Sequence, residues 1–284
     1  MGNVRHSSHG VHARPRCDPW RMVDGGLRAI FDEDAELYLR ARPQYPVELF
    51  EDLARLANVG PGARVAEIGP GTGQATAALI ARGAHVVGIE LGSGLARVLR
   101  REMAGAPVDV VVTAFEDWPL PEDPFDVVAA FTAWHWLDRS VRAAKAAALL
   151  RGDGALVTVT TTHVLGGSEA FFVGAQACYG RWVPVPPPQL RLPSVDEVAA
   201  DVDEVDESEL FLPAVRRRYQ QEVTYTGQGY LELLGTYSGH RALPADRRAE
   251  LFACVGRLID GQYGGRIVKR YLYELRVARR RSIR

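Results

Sequence analysis

The chain is poor in cysteine, has no long apolar run and carries no excess of charge of either sign. Its three cysteines, Cys17, Cys178 and Cys254, are odd in number and widely spaced along 284 residues. No disulfide framework and no zinc-ligand spacing fits them, and a reducing cytoplasm is the compartment they suggest. No apolar run approaches the roughly 18 residues that cross a bilayer. The first residues, rich in Arg, His and Pro, include no apolar stretch of the kind that directs secretion. Lys and Arg number 34 against 35 Asp and Glu. Electrostatic binders of nucleic acid usually show a strong basic excess, so that class is disfavoured. The basic runs 216–218 and 279–281, with Arg284, read as a solvated edge, because no array of stacking aromatics accompanies them.

What remains is the composition of an ordinary globular protein, 47% hydrophobic and 24% charged, long enough for one large domain or two small ones. Residues 1–24 mix Gly, Ser, His, Arg and Pro without periodicity and read as a disordered leader. His6, His9 and His12 are spaced three apart, but no second ligand cluster joins them, and no metal is expected. Helical spacing of apolar residues over 27–39 and 47–57 marks an N-terminal helical cap, residues 25–58, interrupted at Arg42-Pro43 because a residue before proline leaves the helical region.

An alternating pattern then begins. Short apolar strands are expected at 64–68, 85–90, 108–113, 125–131 and 155–161, with helices at 74–82, 95–103 and 140–150. Such alternation indicates a parallel sheet covered on both faces, a core spanning 59–165. The regularity breaks at Gly166-Gly167. An aromatic helix at 168–182, a stiff proline linker at 183–188 and a solvated acidic stretch at 194–209 read as an insertion over the end of the sheet, 166–213, where substrate choice would reside. A polar edge strand at 216–226, a helix at 245–262 and a final strand at 267–278 complete the sheet in 214–284.

The most informative segment is Val65-Ala-Glu-Ile-Gly-Pro-Gly-Thr-Gly-Gln74, a strand running into a glycine-rich turn and a helix. Ligands bind beyond the carboxyl ends of strands in open α/β sheets, and glycine lets them approach the main chain. The dinucleotide fingerprint needs its third glycine where Gln74 stands, and the Gly-Lys-Ser/Thr of a P-loop is absent. Glu90 closes the next strand, where a carboxylate can accept hydrogen bonds from both hydroxyls of a ribose. The bland alternative is a solvated strand end.

Glu67-Ile-Gly-Pro-Gly-Thr-Gly73, Glu90, Glu116-Asp-Trp-Pro119 and Phe125-Asp-Val-Val128 together resemble the ordered motifs of class I S-adenosylmethionine-dependent methyltransferases. The likeness covers residues 37–278. It is closest to the small-molecule enzymes of the trans-aconitate-methyltransferase-like and ubiquinone-biosynthesis-like groups, which share segments like Ala133-Trp-His-Trp136 and the Tyr38 to Pro46 stretch. The resemblance implies an α/β, Rossmann-like seven-stranded methyltransferase sheet of order 3-2-1-4-5-7-6 with its last strand antiparallel, and S-adenosyl-L-methionine as cofactor. Gly69, Gly71 and Gly73, with Thr72 and Gln74, would wrap the cofactor's methionine portion, and Glu67 would order the loop near its amino group. Arg42 would pair with its carboxylate, and Glu90 and Leu91 would hold the ribose. Because Ala114 replaces an aspartate common in relatives, the adenine contact would fall to Phe115 stacking or to Glu116. Trp134 and Trp136, following the fourth strand at its carboxyl end, would lie near the methyl group, and Thr132 would touch the cofactor.

The resemblance further implies a small-molecule acceptor, expected to be methylated on a carboxylate or hydroxyl oxygen; with the cysteine, apolar-run and charge readings above, a cytoplasmic monomer or homodimer that engages neither membrane nor nucleic acid is expected. A hydroxyl acceptor must lose a proton, and His135 is the residue placed to take it. Tyr38, Trp136, His163, Tyr237 and His240 would line the acceptor side. For each of these the competing reading is ordinary packing or a hydrogen-bonded core histidine. Two other functions stay open at this point: a binding or scaffold protein of the same fold without turnover, and a nicotinamide oxidoreductase, which Gln74 disfavours.

Overall fold

Five short apolar segments form the parallel half of one sheet: β1 (Arg64–Ile68), β2 (His85–Glu90), β3 (Val108–Val112), β4 (Phe125–Phe131) and β5 (Leu150–Gly167). Two more strands, β6 (Val215–Thr226) and β7 (Arg266–Arg279), complete the order β3-β2-β1-β4-β5-β7-β6, with β7 antiparallel to both its neighbours. This is the seven-stranded order expected. The computed structural model describes residues 31–183 and 191–282. The leader expected over 1–24, its three histidines, the start of the first helix and most of the proline linker lie outside those residues.

The helices are α1 (Ala35–Ala41), α2 (Val47–Ala57), α3 (Gln74–Ile80), α4 (Ser93–Glu102), α5 (Arg142–Leu149), α6 (Glu169–Trp182), α7 (Glu204–Glu207), α8 (Gly227–Gly235), α9 (Ser238–Arg241) and α10 (Ala245–Gln262). Central strands are apolar because both faces are covered: in β1 every residue after Arg64 is buried. One core packs α2, α3, α6, α8 and α10 on one face, around Leu53, Leu79, Phe171, Leu233 and Leu251. A second packs α5 and α7 on the other, around Phe125, Ala146 and Val205. Among the described residues no helix is long and apolar enough to cross a membrane.

Three expectations need correction. The fifth strand, expected at 155–161, runs to 18 residues, because β7 pairs with it from Ala155↔Arg279 to His163↔Tyr271 and, past a bulge, at Gly167↔Lys269. The acidic stretch 194–209 is not simply solvated: Asp203 and Val205 are buried, and the segment is tied to the core by arginines. Thirdly, Cys178 of α6 and Cys254 of α10 form a disulfide, although they lie 76 residues apart. Spacing along the chain argued against pairing, but α6 and α10 pack side by side, with Phe171 edge-on to Tyr263 at 5.5 Å. The cysteine pattern therefore no longer speaks for a reducing compartment.

Closing so long a loop restricts the unfolded chain, and such bridges typically contribute about 2–4 kcal/mol. Thermal unfolding with and without a dithiol reductant is expected to show the reduced protein melting lower, and a denatured, unreduced sample should titrate a single thiol, Cys17. Three thiols would mean that the bridge does not form.

Candidate active site

The turn between β1 and α3 holds three glycines with positive φ: Gly69 at 62°, Gly71 at 60° and Gly73 at 99°. Side chains rarely tolerate that region. Space is also lacking, since a Cβ on Gly69 would stand 2.9 Å from that of Ala133 and one on Gly73 would stand 2.7 Å from Leu99 Cδ1. The loop is therefore fixed in this conformation.

Two buried carboxylates hold this loop. Glu90 accepts from the backbone N–H of Gly71 at 2.9 Å and from that of Gly92 at 2.8 Å, tying the glycine loop to the turn after β2. Burial pushes its carboxyl above the ordinary range, although the two backbone donors pull the other way. Glu67 is 1% exposed and accepts from the Thr76 hydroxyl at 2.7 Å through Oε2. Burial pushes it up to about 7, opposed by Thr76 and helped by the nearby charge of Glu90. Thr72 and Gln74 bond each other through their side chains at 2.9 Å, and Leu91 is exposed at the rim.

The N-terminal segment lies across the loop. A single 3-10 turn, Phe31–Asp34, leads into α1. Asp32 accepts from the Leu95 N–H at 2.8 Å and so caps α4. The Tyr38 ring covers Gly71, at the 3.4 Å contact distance of a hypothetical Cβ there. The crevice left between Tyr38, Tyr45, Glu67, Gly69 and Phe131 encloses about 20 Å³, room for one water. The Tyr38 ring is the part of that lining contributed by α1.

A chain of contacts leads from this crevice to a second, deeper group. The Arg42 guanidinium lies 4.8 Å from the Tyr38 ring and 4.9 Å from that of Tyr237, and donates to Thr236 O at 3.0 Å. Lys269, buried at 6% exposure, donates to the Tyr237 hydroxyl at 3.0 Å. Burial would raise the Tyr237 phenol, but Lys269 and Arg42 draw it below its ordinary value. His240 bonds Tyr179 at 2.9 Å, and His163 packs edge-on against Phe172 at 4.4 Å. Burial, with Lys269 adding to it, depresses His163 to about 2 and His240 to about 4. Both imidazoles are neutral at physiological pH and too weakly basic to take a proton from an acceptor. Beside the crevice, Thr132 sits at φ 56° and joins the Tyr45 hydroxyl at 3.2 Å to that of Thr161 at 3.0 Å. Positive φ at a β-branched residue is a strained geometry of the kind that collects at functional sites.

Of the residues expected at the site, Tyr38, Glu67, Gly69 and Gln74 line the crevice, Gly71, Gly73 and Glu90 belong to or hold its glycine loop, Thr132 bonds the crevice residue Tyr45, and Arg42, His163, Tyr237 and His240 belong to the deeper group. The Trp-His-Trp turn divides. Trp134 was expected near the methyl group, but its ring is buried in the second core, its indole N–H donates to Asp203 at 2.9 Å and Arg142 stacks on it at 4.9 Å. That ring is not available to a ligand. His135 is exposed, with its ring 5.0 Å from the half-buried Trp136. Phe115 is 2% exposed inside the second core, so it presents no face for adenine to stack on. Glu116 accepts from the Asp138 N–H at 3.0 Å. Sequence reading missed Asp32, Thr76, Thr161 and Lys269. Only Lys269 carried a signal, a lysine placed inside an apolar strand.

Residues 66–158, from β1 into β5, match the methyltransferase domain model. That segment is similar to a methyltransferase domain. An uncharacterized methyltransferase of Mycobacterium tuberculosis is 35% identical over 126 residues, 44% of this chain and 49% of that protein. The demethylmenaquinone methyltransferase of Clavibacter sepedonicus is 37% identical over 110 residues, 37% of this chain and 44% of that protein. The chain thus spans about half the length of the curated relatives it matches. A solved structure of a candidate type II methyltransferase from Anaeromyxobacter dehalogenans superposes with a TM-score of 0.51 at 24% identity, covering 84% of this chain and 97% of that one, a likeness of fold. The glycine loop, Glu67 and Glu90 all fall inside the matched methyltransferase domain, whereas Arg42, Tyr237 and Lys269 fall outside it.

Proposed function

We propose that the protein transfers a methyl group from S-adenosyl-L-methionine to an oxygen, carboxylate or hydroxyl, of a small molecule. The observation that carries this reading is the pair of buried carboxylates, Glu67 and Glu90, gripping a turn of three positive-φ glycines at the carboxyl end of β1. Glu67 bonds Thr76 through Oε2 alone, which leaves Oε1 to face an α-ammonium. Each Glu90 oxygen accepts one backbone N–H and keeps capacity for a ribose hydroxyl. The residues present therefore fit the cofactor, which supplies, when bound, an electrophilic methyl carbon on a sulfonium.

The chain's own task is alignment and exclusion of water, and alignment alone can contribute about 7–11 kcal/mol to lowering a barrier. Tyr38, whose ring lies over Gly71, would cover the cofactor from α1. Tyr45, in the crevice lining, and Thr132, bonded to it, would form part of the wall along which the acceptor lies. A carboxylate acceptor needs no base. A hydroxyl acceptor leaves the exposed His135 as the imidazole free of the burial that disables His163 and His240.

Calorimetry with S-adenosylhomocysteine tests the cofactor site. Binding is expected, and Glu90→Ala should weaken it by about 1–3 kcal/mol. Absence of binding at millimolar ligand rejects the reading. Tritiated methyl transfer into a metabolite extract then tests turnover, with a binding-only protein expected to show none.

A further inference from the structure

Lys269 is one of only two lysines in a chain that otherwise uses arginine, and it is buried. Among the described residues no carboxylate pairs with it. An ammonium has three donors. One goes to the Tyr237 hydroxyl at 3.0 Å, and the charge otherwise lies against two rings, 4.8 Å from that of Tyr271 and 5.2 Å from that of Tyr237. On the far side of Tyr237 stands a second cation, Arg42, whose Nε is buried without a hydrogen-bond partner. The Nε2 of His163, across from Tyr271 in the β5–β7 register, is buried without a partner as well. Neither imidazole adds or cancels charge, since both are held neutral.

Buried charges are ordinarily paired, because desolvating one alone is expensive, and orphaned buried polar atoms are rare enough to need a reason. Here two cations and two orphaned nitrogens occur along one wall, joined to the glycine loop through Tyr38. The surroundings are otherwise aromatic: Phe172 lies on His163, and Tyr225 bonds Tyr271 at 2.9 Å.

We infer that Lys269, with the Tyr237 hydroxyl, anchors the carboxylate of an aromatic monocarboxylate acceptor, whose ring lies against the half-buried ring of Tyr237. The ligand's anion supplies the missing counter-charge, and the Tyr237 hydroxyl holds its place on the ammonium until it arrives. This deepens the methyltransferase reading by naming the class of its acceptor.

The test is calorimetry of benzoate, cinnamate and 3-phenylpropanoate, each beside its neutral primary amide, with and without S-adenosylhomocysteine. At least one carboxylate should bind, roughly tenfold or more tightly than its amide. Lys269→Met should remove that preference, Lys269→Arg should restore part of it, and both should bind S-adenosylhomocysteine as the parent does. The inference fails if no carboxylate binds at millimolar concentration, if amide and carboxylate bind alike, or if Lys269→Met keeps the preference. Intact S-adenosylhomocysteine binding alongside any of those results sinks the anchor and spares the cofactor site. Carboxylate binding without any S-adenosylhomocysteine binding does the reverse.

Discussion

Asp203→Ala is expected to destabilise the protein by about 3–5 kcal/mol, the cost of leaving buried charges without their partner. Asp203 is 7% exposed and sits between two arginines that are themselves 4% and 2% exposed, Arg142 and Arg276. Arg276 grips it with both terminal nitrogens, at 2.6 and 3.1 Å, and Arg142 approaches at 3.3 Å. The Val205 N–H at 3.0 Å and the Trp134 indole at 2.9 Å complete its shell. Removing the carboxylate leaves Glu204 on Arg142 and Asp206 on Arg276, both at the edge of the network, and leaves the indole unsatisfied. Urea unfolding of the parent, Asp203→Ala and Asp203→Asn would measure the loss. Asparagine keeps an acceptor but not the charge, so it should fall between the other two. A loss below about 1 kcal/mol for alanine would place the network among ordinary surface pairs.

The double variant Asp203→Leu with Arg276→Met sharpens the test. Exchanging both members of a buried pair for apolar residues of similar size is often near neutral, whereas removing one is not. The double variant should therefore be more stable than Asp203→Ala alone, with Arg142 still held by Glu204. Additive losses would show that the two residues act independently.

This network also explains how far the sequence could be read. Strands with continuous apolar runs, such as Arg64–Ile68 and Phe125–Phe131, and the helices Val47–Ala57 and Ala245–Gln262 lie where their periodicity placed them, because burial on fixed faces dictates the pattern. The glycine loop was legible for the same local reason, since positive φ selects glycine. The acidic stretch 194–209 was misread because its charge suggests solvent, and only the fold brings Arg142 and Arg276 to meet it. Trp134 was misread in the same way: its partner Asp203 lies 69 residues on, and nothing local distinguishes a tryptophan over a ligand from one bonded to a buried aspartate. The disulfide and the burial of Lys269 against tyrosines are likewise products of packing between distant elements, α6 on α10 and β7 beside β5.

Cofactor affinity should depend steeply on pH through Glu67. Burial pushes its carboxyl up from 4.5 to about 7. The raised value means that the folded protein favours the protonated acid. Its contribution to stability is complete below about 4.5 and is lost as pH rises through 7. Binding runs the opposite way, because a ligand α-ammonium needs the carboxylate. Affinity for S-adenosylhomocysteine should fall by about tenfold per pH unit below 7, and should fall again at alkaline pH where the ligand's own α-ammonium loses its proton. Glu67→Gln keeps an oxygen for the Thr76 hydroxyl but cannot titrate, so its acid limb should vanish and leave uniformly weak binding. Glu90 is also raised by burial and is the other group able to give an acid limb. Glu90→Gln should keep the limb if Glu67 is its source. Calorimetry from pH 5.5 to 8.5 on the three proteins decides between them: an acid limb that survives Glu67→Gln and disappears in Glu90→Gln would transfer the ammonium contact to Glu90.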